Sequence, residues 1–210
     1  MAKIGSTLWK KTQANKKRIY ASAMGLFSEH GYDQVSVDDI ARAAQSSKGT
    51  FYNYFKSKDE LFVFYNQSLD ERFWDFYSKL LTNRHHTGKD ALEKLYIMIM
   101  FTLHVLSESG REFTAVSDIR QLREESGDAL QEDVLCNSVL NIFPSLLEMG
   151  RRDGSIDPHL DSEQLELLIY IYLKGIVFQW ESQQRHQNLL ELARPAIRML
   201  CNSIAAGTEP

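Results

Sequence analysis

Between Gln45 and Lys58 the chain reads QSSKGTFYNYFKSK, a run of small, hydroxyl-bearing, aromatic and cationic residues. From Ile40 to Lys58 there are four cations (Arg42, Lys48, Lys56 and Lys58) and no carboxylate, although the whole chain carries a net charge of −4. The chemistry these side chains can do is recognition of a polyanion. Cations neutralise phosphates, hydroxyls and backbone N–H groups fix the register of a nucleic-acid backbone, and an amide pairs with a base edge. On a helix beginning near Ser47, Phe51 and Phe55 share one face and pack on Ile40 and Phe27. Gly49, Thr50, Tyr52 and Asn53 then point away from that core. Gly49 admits a close backbone, Thr50 and Tyr52 donate to phosphates, and Asn53 suits an adenine edge. Lys58 adds a cation at the start of the next helix, where free N–H groups already favour phosphate. The rival reading makes Tyr52 and Tyr54 amphipathic lids on a small core; the constellation as a whole favours DNA.

To present that face, the chain must place two helices around a tight turn. Ile19, Ala23, Leu26 and Phe27 recur at helical spacing and Gly31 stops them; Val37, Ile40, Ala41 and Ala44 repeat the pattern. Ser36 with Asp39, and Ser57 with Glu60, have capping-box spacing. A helix, a short turn and a second helix in this order form a helix-turn-helix, whose second helix enters a major groove. Helical patterns continue over Asp59 to Leu81, Gly88 to Ser107, Glu112 to Arg123, Asp128 to Arg151, Ser162 to Gln183 and Leu189 to Ile204. Breaks are expected at Thr82 to Thr87, at Ser126 and Gly127, and at Asp153 to Pro158, and Pro195 implies a kink or a later start. No strand-like alternation or repeat occurs. The predicted fold is all-α: an N-terminal three-helix helix-turn-helix domain over 1–58 and a C-terminal helical bundle over 59–210.

Charge divides the same way. Residues 1–60 carry +4 and residues 61–210 carry −8, so the first piece is the one expected to meet a polyanion. Cys136 and Cys201 stand apart from any metal-ligand spacing, the first residues lack the apolar core of a signal peptide, and the apolar runs Leu95 to Leu106 and Leu167 to Leu173 fall short of the roughly 18 residues a membrane span needs. These features point to a reduced, cytoplasmic protein with no membrane partner.

The stretch IYASAMGLFSEHGYDQVSVDDIARAAQSSKGTFYNYFKSKDELF resembles the N-terminal domain of TetR-family transcriptional regulators. The matching positions are Ala23, Phe27, Gly31, Tyr32, Ile40, Ala41, Lys48, Gly49, Tyr52, Phe55, Lys58, Glu60 and Leu61, within about residues 12–65. The resemblance implies a homodimeric repressor on an inverted-repeat operator, with an inducer pocket and dimer interface in the C-terminal domain. It also implies DNA contacts at Ser47, Lys48, Gly49, Thr50, Tyr52, Asn53, Tyr54 and Lys58. Two positions depart from the pattern. Gln45 stands where the family usually has Gly, and would bear roughly 1 to 2 kcal/mol of strain if the turn is left-handed. Ser46 replaces an apolar residue and is either a hydroxyl for a phosphate or a solvated turn serine.

The C-terminal region shows no HExxH, no ExxH pair and no phosphate-binding loop, so neither catalytic residues, nor a metal site, nor a cofactor is expected there. His85 and His86 fall in a loop and His104 on an apolar helix. An inducer pocket is expected from Phe73, Tyr77, Tyr96, Met100, Phe101, His104, Phe143 and Tyr170, most of which also suit a plain core. Leu165 to Trp180 is apolar all round and must be covered on every side. The expected subunit interface is Leu168, Tyr172, Ile176 and Trp180, joined by Ala193, Ile197 and Leu200. Two rivals remain: an architectural DNA-binding protein of the same fold without an inducer, and a helical enzyme fused to a DNA-binding module.

Overall fold

The computed structural model describes residues 2–83, 85–86, 88–108, 114, 137–182 and 187–207. Among these lie eight helices: α1 (Ala2–His30), α2 (Val37–Ala43), α3 (Lys48–Tyr52), α4 (Glu60–Thr82), α5 (Ala91–Glu108), α6 (Asn137–Asp153), α7 (Ser162–Ser182) and α8 (Leu189–Ile204). The only pairing of extended backbone among the described residues is a bridge between Ile156 and Ala205. The all-α expectation holds. The expected helix over Glu112 to Arg123, the break at Ser126 and Gly127, the first part of the pattern from Asp128, and Cys136 lie outside the described residues.

Local chemistry sets the first three helices. Ile19, Ala23 and Phe27 are fully buried along one face of α1, and Gly31 ends the helix at φ 79°, a left-handed conformation that glycine adopts without steric cost. Ser36 opens α2 as expected: its Oγ accepts from Asp39 N–H at 3.2 Å, and its own N–H donates to Asp39 Oδ2 at 3.0 Å. At the other end, Gln45 N–H donates to Arg42 C=O at 3.0 Å and Ser46 N–H to Ala41 C=O at 2.9 Å. This pair of bonds is a Schellman cap. It places Gln45 at φ 48°, in the left-handed region where its side chain is strained.

The second capping box is built differently from expectation. Ser57 Oγ accepts from Glu60 N–H at 3.3 Å, but the Glu60 carboxylate accepts from the N–H of Lys56 rather than that of Ser57. The reciprocal bond has moved one residue back, because 56–58 bends before α4 begins.

In the C-terminal region α5 is central and packs against α4, α6 and α8. Its N-terminus is capped from a distance as well as locally: Ala91 N–H donates to Asp153 Oδ2 at 2.8 Å and Leu92 N–H to Ser155 Oγ at 3.2 Å. The same turn holds the chain end, through Asp157 N–H to Ile204 C=O at 3.0 Å and Ala206 N–H to Ser155 C=O at 3.2 Å. Helix α8 starts at Leu189, with Asn188 as its cap, and runs on through Pro195. The later start allowed for at Pro195 is therefore not taken.

Candidate nucleic-acid interface

Ser47 makes α3 possible. Its Oγ accepts from Thr50 N–H at 3.0 Å and lies 2.9 Å from Thr50 Oγ1, so a helix of five residues begins with one of its orphan donors satisfied. Phe51 and Phe55 are fully buried with ring centroids 5.5 Å apart. Anchoring these two rings turns the opposite side of the helix outward. Tyr52 is 48% exposed, Asn53 and Gly49 are exposed, and a side chain added at Gly49 would meet only Ser47 Oγ, at 3.7 Å. A tyrosine ring and an amide thus stand side by side on a firm apolar base.

The cations are disposed less simply than their sequence suggests. Lys48 Nζ lies 2.8 Å from Asp38 Oδ2, and Arg42 Nη1 lies 3.2 Å from Asp39 Oδ1. The hydrogen bond that Lys48 donates to Asp38, reinforced by the charge of that carboxylate, raises the Lys48 pKa above its ordinary range. Both pairs are exposed, where such bridges contribute little. Lys48 can therefore exchange Asp38 for a phosphate at small cost.

Three expected contacts are placed elsewhere. Lys58 turns inward: its Nζ donates to the carbonyls of Tyr32 at 2.7 Å and Val35 at 3.0 Å and sits 3.9 Å from the Tyr32 ring centroid. The carbonyls of the loop between α1 and α2 thus hold it at the base of the domain. Tyr32 in turn donates its hydroxyl to Asp59, so the start of α4 is tied to the α1–α2 loop. Tyr54 is half-buried and its hydroxyl accepts from Asn15 Nδ2 at 3.4 Å. Ser46 directs its hydroxyl back to Ala41 C=O at 3.5 Å, completing the cap rather than facing outward. All three side chains are engaged within the domain.

The expected pocket residues do not converge on one point. Phe73 is buried with its ring 6.0 Å from that of Phe101, which stacks on Phe76 at 3.7 Å. Tyr77 shares a hydrogen bond of 2.9 Å with Ser145. Phe143 is buried, and Met100 and Tyr170 are half-buried against the same core. Two residues leave the set. Tyr96 lines a cleft of about 340 Å³ between α5 and α8 with Arg198 and Cys201, and His104 is exposed beside Glu108 at 3.6 Å.

Of the residues expected at the subunit interface, most are packed within the single chain. Trp180, Ala193, Ile197 and Leu200 are buried within the single chain, where Trp180 Nε1 donates to Gln187 C=O at 3.0 Å. Tyr172 and Ile176 are half-buried against the core, and Leu168 is exposed as expected. The uncovered face of α7 consists of Leu167, Leu168, Ile171 (57% exposed) and Phe178 (68% exposed), with Gly175 between them. A helix apolar on all sides has no periodic signal to say which side faces out. The spacing of Leu167, Ile171, Gly175 and Phe178 was visible in the sequence, but so was that of the buried stripe. No helix among the described residues is long and apolar enough to cross a membrane.

With this geometry, the likeness to known proteins covers nearly the whole chain. Residues 19–63 match the bacterial regulatory proteins of the tetR family, and residues 69–203 match the C-terminal region of YsiA-like proteins. The uncharacterized HTH-type transcriptional regulator YhgD of Bacillus subtilis (strain 168) is 27% identical over 174 residues, which are 80% of this chain and 85% of that protein. The fatty acid degradation regulator FadR from Bacillus halodurans superposes with a TM-score of 0.68 at 26% identity, covering 89% of this chain and 94% of that one. FadR from Bacillus subtilis in complex with stearoyl-CoA superposes at 0.67 with 24% identity, covering 90% and 98%.

Proposed function

The chain belongs to the tetR family of bacterial regulatory proteins, and from that premise we propose how this member reads DNA and what releases it. It is a DNA-binding transcriptional regulator, and such proteins bind operator DNA as dimers. In our reading residues 1–58 form the DNA-binding domain and 59–210 the ligand-binding and dimerisation domain of a cytoplasmic repressor that catalyses no reaction.

The single observation that carries the reading is the outward pair Tyr52 and Asn53 on a helix held from behind by Phe51 and Phe55. Asn53 supplies the base-reading amide. Ser47, Lys48, Gly49, Thr50 and Tyr52 contact the phosphate backbone, while Ser46, Tyr54 and Lys58 hold the face in place. Two copies join through Leu167, Leu168, Ile171 and Phe178 of α7, since an exposed apolar stripe of this kind marks an interaction surface. A two-fold dimer sets its α3 helices in successive major grooves about 34 to 36 Å apart, or a multiple of that spacing.

For the inducer, we infer a long-chain acyl thioester. FadR from Bacillus halodurans is named for fatty acid degradation, and that from Bacillus subtilis was solved with stearoyl-CoA. In this chain Phe73, Phe76, Phe101 and Phe143 supply packed apolar rings from α4, α5 and α6, which an acyl chain would have to part in order to enter.

Paired selection from random duplexes with wild-type and Asn53→Ala protein tests the DNA reading. The wild type is expected to return an inverted repeat, and the variant the same repeat with one symmetric base position relaxed, at a cost of about 1 to 3 kcal/mol on the best site. A featureless pool from both proteins would remove the operator-reading role. Addition of stearoyl-CoA to the selected complex tests the ligand.

A further inference from the structure

We propose that the groove between α1 and α4 is a binding site for a phosphorylated nucleotide head group, seated directly behind the recognition helix. The groove encloses about 830 Å³ and is bordered by Lys16, Lys17, Tyr20, Phe64, Ser68 and Arg72, with Glu71 the one carboxylate on its wall. That volume is in the range of small-molecule sites, roughly 300 to 1,000 Å³. With Arg72 paired to Glu108, Lys16 and Lys17 still outnumber Glu71, and in a chain of net charge −4 they favour a negatively charged occupant.

The floor says what else the occupant carries. Tyr20 and Phe64 meet edge to face with ring centroids 5.2 Å apart, so the two rings form an aromatic corner in which a face of Phe64 is covered by a cation. That cation is Lys16, whose Nζ lies 4.4 Å from the Phe64 centroid and 5.3 Å from that of Phe55. A ligand with a phosphate and a planar base satisfies both parts at once: the phosphate draws Lys16 off the ring, and the base takes the vacated face. Inorganic phosphate is too small to fill the groove. Burial, with the neighbouring Tyr65, pushes the Tyr20 hydroxyl well above the ordinary tyrosine range, and Ser68 is its hydrogen-bond partner. Arg72 is steadied by Glu108 at 2.6 Å.

The position of the groove links occupancy to DNA. Lys16 lies over Phe55, and Asn15 donates to the Tyr54 hydroxyl at 3.4 Å. Both aromatic residues follow α3 immediately, so displacing this part of α1 disturbs the support of Tyr52 and Asn53. Linkage makes the effect reciprocal: operator DNA changes the affinity for the nucleotide by the factor with which the nucleotide changes that for DNA.

The choice of nucleotide rests on the proposed acyl-thioester inducer, because the head group of coenzyme A ends in a phosphorylated adenosine. The test uses adenosine 3′,5′-bisphosphate, which has no acyl chain, titrated calorimetrically into the full-length protein. Binding is expected, weakened about tenfold by Lys17→Ala at the exposed rim, as for loss of one charge-assisted contact. Gln67→Glu, also at the exposed rim, should weaken it further, with thermal unfolding of both variants unchanged. No binding to the wild type, or equal binding to all three proteins, overturns the proposal. So does an outcome in which both variants alter only the salt dependence of DNA binding, which would give the groove to the DNA backbone. If the bisphosphate binds as expected but stearoyl-CoA does not release operator DNA, the groove stands and the acyl-thioester reading falls. If stearoyl-CoA releases the wild type and both variants alike, the inducer stands and the groove falls.

Discussion

The outer faces of α3 and α7 are both exposed, and they differ in what exposure costs. On α3 the exposed groups are a tyrosine, an amide, a hydroxyl and a lysine already paired with Asp38, all of which water satisfies. On α7 they are Leu167, Leu168, Ile171 and Phe178, which water penalises at roughly 25 cal/mol per Å². A polar face can wait for DNA and exchange its partners when DNA arrives. The α7 face favours permanent cover, as an obligate subunit contact provides.

The strongest way to break this comparison is to charge α7. Ile171→Glu buries an unpaired carboxylate in the proposed interface and should cost about 3 to 5 kcal/mol of association free energy. Sedimentation should then show monomers, with affinity for the inverted repeat lost and the fold retained. A variant that stays dimeric would move the interface to another surface.

A smaller effect separates lysines that face DNA from lysines that hold the fold. Lys58→Ala removes an ammonium from two carbonyls and should destabilise the N-terminal region by about 2 kcal/mol, leaving the salt slope of DNA binding unchanged. Lys48→Ala should do the opposite: the same melting temperature, and a slope lower by about 1. If the two variants behave alike, the inward placement of Lys58 does not survive on DNA.

Strain beneath the α3 face is open to a milder change. Gln45→Gly relieves a left-handed side chain and should stabilise the protein by about 1 kcal/mol in chemical denaturation. A loss of stability would mean that the Gln45 side chain contributes more than its backbone costs.

The smallest effect concerns acid. Desolvation raises the Asp153 carboxyl, but the hydrogen bonds it accepts from Ser155 and from Ala91 N–H outweigh that and hold it below the usual carboxylate range. Its contribution is therefore complete above the unfolded pKa of about 4 and is lost as pH falls through the lower folded value. Urea midpoints measured from pH 6 down to pH 3 should fall more steeply for wild type than for Asp153→Asn, and identical slopes would remove this cap from the acid response.

Most of what depends on partners a few residues apart was legible in the sequence, the exception being Ser57 with Glu60, whose reciprocal bond goes to Lys56. Ser36 with Asp39, Ser47 with Thr50, Gly31 as a stop, and Phe51 with Phe55 on one face all follow from helical geometry and local hydrogen bonding. So did the all-α class and the outward pair Tyr52 and Asn53. Tertiary structure alone decided what depends on distant partners: Lys58 against Tyr32 and Val35, Lys48 against Asp38, Asn15 against Tyr54, and Tyr77 against Ser145. It also decided which side of α7 is covered, because both sides are apolar and only packing against α6 and α8 distinguishes them. The physical reason is the same throughout. A helix declares its own period and its own ends, but an ammonium or an apolar stripe has no local preference among partners that folding has yet to bring near.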